Sequence, residues 1–140
     1  FQLVEKHGVL LYNELKTLDR KVFFVYGGTT TETREKIRAI TEKETNAIIV
    51  ASYGTFSTGI NIRAINNIVF ASPSKSRIRV LQSIGRGLRQ SDNKDRVKLF
   101  DVSDNISYKS RPNFTYRHFK QRLNIYKEEQ FKYHINRINL

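Results

Sequence analysis

The 140 residues contain no cysteine, no methionine and no tryptophan, and only two prolines. Without thiols there is no disulfide and no thiolate metal site, a composition compatible with a reducing compartment. The three histidines, His7, His118 and His134, are scattered without ligand spacing, so no metal site is expected. Apolar runs are short as well. None approaches the ~20 residues that span a bilayer, and no basic start leads into an apolar core as in a secretory signal. A soluble, cytoplasmic protein without membrane attachment is expected. Because the chain opens on Phe1 and lacks methionine, we expect a piece of a longer polypeptide, with residues 1–140 forming one domain.

Negative charge is also in short supply. Against 25 Lys and Arg stand 13 Asp and Glu, giving a formal charge of +12. That imbalance is the electrostatic footprint of a protein that meets a polyanion, and nucleic acid is the leading partner. The other reading is a basic domain offset by an acidic neighbour.

Along the chain, apolar periodicity predicts a helix from about Gly8 to Leu18, then a strand from Lys21 to Tyr26 whose run Val22-Phe23-Phe24-Val25 suits burial on both faces. Gly27-Gly28 ends it. A helix to about Lys43 follows, with N-cap candidates in the cluster Thr29 to Thr31, Thr29 in capping-box spacing with Glu32, and a thin apolar face of Ile37 and Ile40. Ala47–Ala51 reads as a second buried strand and 53–61 as a glycine-punctuated loop. Next come a strand from Asn67 to Ala71 stopped at Ser72-Pro73, a helix from Ser76 to Gln90, a loop 91–94 and a strand from Arg96 to Val102. After a loop 103–113, Phe114 to about Gln130 reads as a helix with Phe119, Leu123 and Tyr126 on one side, and Tyr133 to Leu140 as a closing strand. This alternation predicts an α/β fold, a mostly parallel sheet with helices on both faces. Ligands gather beyond the carboxyl ends of such strands.

Three segments at those ends carry candidate chemistry. Helical spacing over 76–90 puts Ile78, Leu81, Ile84, Gly85 and Leu88 on one side and Gln82, Arg86 and Arg89 on a neighbouring stripe. Two arginines a turn apart repel slightly, an arrangement suited to an arriving anion, and the planar guanidinium fork fits phosphate. The loop from Ser52 to Asn61 is small and hydroxyl-rich, able to bring backbone N–H groups close to phosphate or ribose. Gly27-Gly28, with Arg34 shortly after, stands at a strand-to-helix junction of the kind that binds phosphate oxygens.

In this order the three segments resemble the second RecA-like domain of superfamily 2 helicases. Gln82-x-x-Gly85-Arg86-x-x-Arg89 matches the pattern of motif VI, Ala51-Ser52 through Gly59-Ile60-Asn61 resembles motif V, and Gly28 with Arg34 resembles the glycine and arginine after motif IV. The wording from Ile49 to Ile60 is similar to phage recombination and repair helicases of the UvsW type. The resemblance implies a RecA-like fold and a motor half of an ATP-dependent DNA helicase or translocase acting on branched or single-stranded DNA. It further implies that Arg86 and Arg89 are arginine fingers at the γ-phosphate with Gln82 beside them, and that Gly59 and Asn61 approach the nucleotide ribose. Ser52, Tyr53, Thr55 and the amides near Gly28 would meet the phosphates of the tracking strand. Asn61 stands where aspartate is common, which departs from the pattern.

The sequence has no Gly-x-x-x-x-Gly-Lys-Ser/Thr and no Asp-Glu pair following a strand. ATP would therefore be shared with a preceding RecA-like domain in cis that also holds Mg2+, and the 140 residues alone are expected not to hydrolyse ATP. A monomer is expected. A non-catalytic basic nucleic-acid-binding domain of the same shape, and half of an RNA helicase, are the rival readings.

Overall fold

The computed structural model describes residues 4–59, 61–72, 74–89, 96–109 and 111–139. The expectations for Ile60, Pro73, Gln90, the loop 91–94 and Leu140 fall outside them.

A turn of π-helix, Val4–Gly8, runs straight into α1 (Val9–Leu15), which packs Tyr12 on Phe24 of β1 (Lys21–Val25) with ring centroids 5.3 Å apart. The helix stops three residues before the expected end, leaving Leu18 exposed. α2 (Thr31–Thr41) is capped by Thr30, whose hydroxyl accepts the N–H of Thr33. Thr30 is one of the cluster of candidates, while Thr29, the one in capping-box spacing, is engaged elsewhere. Its Oγ1 accepts the Tyr26 N–H and closes the turn after β1. β2 (Ala47–Ala51) then pairs with β1 in parallel, from Lys21 opposite Ala47 to Val25 opposite Ala51.

The stretch expected to be a loop holds a short helix, α3 (Tyr53–Thr58), capped by Ser52 and closed at Gly59. After it come β3 (Asn67–Phe70), α4 (Arg77–Gly87), β4 (Lys98–Asp101) and α5 (Phe114–Glu128). β3 and β4 form a second parallel pair, Asn67 opposite Lys98 through Phe70 opposite Asp101. Burial alternates along β3, with Ile68 and Phe70 inside and Val69 outside. Residues 131–139 carry no strand, so the expected closing strand does not form. Their alternation is loose, and an isolated strand without a paired neighbour leaves its backbone donors to water.

Apolar packing falls into two clusters. Val25, Ile37 and Ile62 fill the space between β1, β2 and α2, and Tyr53, Ile68, Phe70, Val80, Ile84, Ile125 and Tyr126 fill that between β3, α3, α4 and α5. Ile65 packs against both. The buried face of α4 is Val80, Ser83, Ile84 and Gly87, rotated from the expected one; Ile78 and Leu88 are exposed. Gly87 suits this rotation: a Cβ there would lie 2.6 Å from Ile68 Cδ1 and 3.0 Å from Val97 Cγ1, so a larger residue would require those side chains to shift.

Candidate functional site

All four strands run parallel within their pairs, so the turns after β1 and β2 share one end, as do those after β3 and β4. Tyr53 joins the two ends. Its ring packs on Phe70 at 5.6 Å and its hydroxyl donates to the Ser72 carbonyl at 2.9 Å. Burial pushes that phenol up to about 12. The Tyr53 side chain is therefore core, and its hydroxyl is spent inside the protein rather than on a ligand. The Thr55 side chain is buried too, with Oγ1 accepting from Ser52 Oγ at 2.8 Å. Ser52 is half-buried at the cap, while Gly28 is exposed in the turn after β1.

Arg34 ties this turn to the end of α3. One terminal nitrogen donates to the Gly27 carbonyl at 3.2 Å and, more weakly, to that of Tyr26 at 3.4 Å. The other fills the space beside Gly59, where a Cβ would come within 2.6 Å of it and 3.0 Å of the Thr55 carbonyl. Gly59 thus has a reason internal to this chain to be glycine.

The arginines of the Gln82–Arg89 segment meet the same edge. Arg86, half-buried in the last turn of α4, donates from Nη2 to the Ser57 carbonyl at 3.0 Å. Arg89 lies just beyond the C-cap Leu88, not on the helix itself as expected, and its Nη1 bonds to Asn61 Oδ1. Both of these acceptors are neutral. Partial burial, and after it the charge of Arg89, hold the Arg86 guanidinium below the usual arginine range. An anion between the two would relieve both penalties. Gln82 and Gly85 are exposed on the outer side of α4, and a Cβ at Gly85 would meet nothing within 4 Å. So Arg86, Arg89 and Asn61 come together at the α3 end, with Gly59 and Ser57 next to them, and Gln82 opens outward from the same helix.

The model of the helicase conserved C-terminal domain matches residues 3–91. The chain belongs to that family. In this helicase C-terminal domain the matched span covers the arginine helix and every other candidate residue named so far. Over 144 aligned residues it is 35% identical to the ATP-dependent DNA helicase UvsW of Enterobacteria phage T4, covering 96% of this chain and 29% of that protein. Its fold is similar to the C-terminal domain of the DEAD-box protein Dbp5, at a TM-score of 0.64 and 18% identity over 89% of this chain and 65% of that one. It is similar also to the C-terminal part of the Fun30 ATPase domain, at 0.62 and 20% identity over 86% and 44%. The α/β architecture expected from the strand and helix order, and the RecA-like fold implied by the resemblance, are thereby established.

One cluster escaped the sequence reading. Arg122 of α5, fully buried, donates from Nε and Nη2 to the two carboxylate oxygens of Asp101 at 2.7 and 2.6 Å, and from Nη1 to the Ser74 carbonyl at 3.0 Å. Tyr126 adds its hydroxyl to Asp101 at 2.7 Å, and burial, with the Asp101 charge next, pushes that phenol far up. His7 reaches Ser72 Oγ at 2.7 Å. The knot fixes the segment leading into α4. An arginine on the stripe shared by His118, Ile125 and Tyr126, with an aspartate ending an apolar strand, was the available signal. Among the described residues no group of three His, Cys, Asp or Glu converges as a metal site would require, and no helix is long and apolar enough to cross a membrane.

Proposed function

We propose that this chain is the second motor domain of an ATP-dependent DNA helicase or translocase, working on branched recombination and repair DNA, in which Arg86 and Arg89 are the arginine fingers. The observation that carries this reading is the pair of guanidiniums brought to one edge beside the end of α3, close enough for the charge of Arg89 to act on Arg86. The printed name of the phage relative specifies DNA, which favours DNA over RNA as the substrate.

The donor set suits the phosphate half of a nucleotide site. The two guanidiniums can bind and neutralise phosphate oxygens and the Gln82 amide can donate to them, but the set holds no carboxylate of the kind that binds magnesium. ATP and Mg2+ would be held by a preceding RecA-like domain, with Gly59 and Asn61 beside the ribose. ATP bound there supplies the phosphoryl group whose transfer drives the motor. Arg86 and Arg89 place positive charge where negative charge spreads during that transfer. Because they stand on a different domain from the rest of the pocket, the pocket is complete only when the two domains close, and hydrolysis reports closure. Gly28 and Ser52 would meet the phosphate backbone of the tracking strand; the side chains of Tyr53 and Thr55 face inward, and the Thr55 N–H is given to the Ser52 cap, so neither side chain serves there.

In a protein carrying both RecA-like domains, Arg89→Ala is expected to abolish DNA-stimulated ATP hydrolysis while leaving DNA affinity nearly intact. Unchanged turnover would favour the non-catalytic binding module. The 140 residues alone should show no ATPase activity.

A further inference from the structure

The loop after β4 and the first turns of α5 lie beyond the span matched by the family model. Between Ile106 and Lys120 the sequence has four Lys or Arg, four Phe or Tyr and no Asp or Glu. Aromatic rings and cations therefore alternate in a segment from which carboxylates are absent. We propose that this segment is a stacking platform for the unpaired bases of a single-stranded nucleic acid, separate from the strand contacts at Gly28 and Ser52.

The platform is built rather than loose. At its base, the Asn113 amide and the Thr115 hydroxyl both donate to the Asp104 carbonyl at 3.1 Å, pinning the loop to the start of α5. At its tip, Tyr108 and Arg111 exchange backbone hydrogen bonds at 3.2 and 3.0 Å. On this frame Tyr108 and Phe114 are 74% and 56% exposed. Each carries a cation at its face, Lys109 at 5.4 Å and Arg117 at 6.0 Å, while Lys120 lies 4.8 Å from the Tyr116 ring. An exposed cation contact returns less than burying the ring would. Rings kept out of the core beside cations suit a base that stacks and a phosphate that pairs.

Its position fits the same partner. β3 and β4 are parallel, so the loop stands at the strand end that also holds 71–76, and Tyr53 links that end to the turn after β2. Lys75 adds to the positive field. Burial first, then Lys75, Arg122 and Arg117, hold His118 below the usual imidazole range, which places charge from two elements around the Phe114 end. Asp104 is the acidic residue at the loop base, and it meets the loop through its carbonyl.

The inference rests on the nucleic-acid reading above but not on the arginine fingers. Its test measures binding of the full chain to a fluorescein-labelled oligothymidylate and to a blunt duplex of equal length. Tyr108→Ala with Phe114→Ala is expected to weaken single-strand binding by about tenfold or more, with duplex binding nearly unchanged, because stacking needs unpaired bases. Tyr108→Phe should retain affinity. Replacing Lys109, Arg117 and Lys120 by Ala should lower the slope of log K against log salt by about 2 for the single strand, since each phosphate neutralised contributes about 0.7. Lys36→Ala, on α2, should leave the slope alone. Unchanged affinity in the ring variant, or equal loss on strand and duplex, overturns the platform while leaving the helicase reading intact. Failure of the unaltered chain to bind either probe overturns the nucleic-acid reading itself.

Discussion

Arg122 and the pair Arg86 and Arg89 are the same residue type in opposite circumstances. Arg122 has no exposed surface and both oxygens of Asp101. Arg86 and Arg89 sit at an accessible edge against a carbonyl and an amide oxygen. A buried guanidinium with a bidentate carboxylate is electrostatically finished, because its charge is cancelled and its donors are used. A guanidinium at an exposed edge, as Arg89 is beside the Asn61 amide, stays within reach of an arriving anion. The contrast teaches that where an arginine stands and what it meets decide whether its fork can serve a ligand.

The sharpest way to break that contrast is in the rate. With both RecA-like domains present, Arg86→Ala and Arg89→Ala should each lower DNA-stimulated ATP turnover by about 10³ to 10⁵ while shifting the melting temperature little. A pair that proved structural would instead lower the melting temperature and leave turnover per folded molecule unchanged. Arg122→Met should do the reverse. Removing one partner of a buried pair strands the other, and the expected loss is about 3–5 kcal/mol in denaturant unfolding. A loss below about 1 kcal/mol would mean that Asp101 finds water, and the knot would not be what anchors α5.

Two glycines extend the comparison along α4. Gly87→Ala drives a methyl against Ile68 and Val97, and overpacking of this kind costs about 1–3 kcal/mol. Gly85→Ala enters open space in this domain and should raise stability by about 0.5–1 kcal/mol through helix propensity. If the outer side of α4 faces a nucleotide or a second domain, the same change should slow ATP turnover despite the gain. Equal stability effects at the two positions would remove the distinction between the inner and outer faces.

The smallest effect concerns pH. Tyr53 has its folded pKa raised to about 12, above the unfolded value near 10, so its contribution to stability is complete below about pH 10 and is lost as pH rises toward 12. Tyr53→Phe should flatten that part of the stability profile. An unchanged slope would place the alkaline transition at Tyr126 or elsewhere.

Much of this fold is legible in the sequence, and what is not has physical causes. β1 and β2 announce themselves as apolar runs, and the arginine segment by its spacing, because those signals are local. The packed face of α4 was not local. Ile78 and Leu88 are apolar yet exposed, and Ser83 and Gly87 are buried, with Gly87 close against Ile68. α3 was mistaken for a loop because Tyr53–Thr58 has small polar residues and no apolar stripe, and its stability comes from the Ser52 cap and the burial of one ring. That burial also withdraws the Tyr53 side chain from the surface, a fact that depends on Phe70 and Ser72, 17 to 19 residues away. The knot around Arg122 needed three distant segments to be in place before it could be seen.

Arg34 has a mechanical implication. With one end of its guanidinium on the carbonyls of Tyr26 and Gly27 and the other filling the hollow at Gly59, it is a spacer between the turn that carries Gly28 and the stretch leading to Asn61, and neither can close on the other without expelling it.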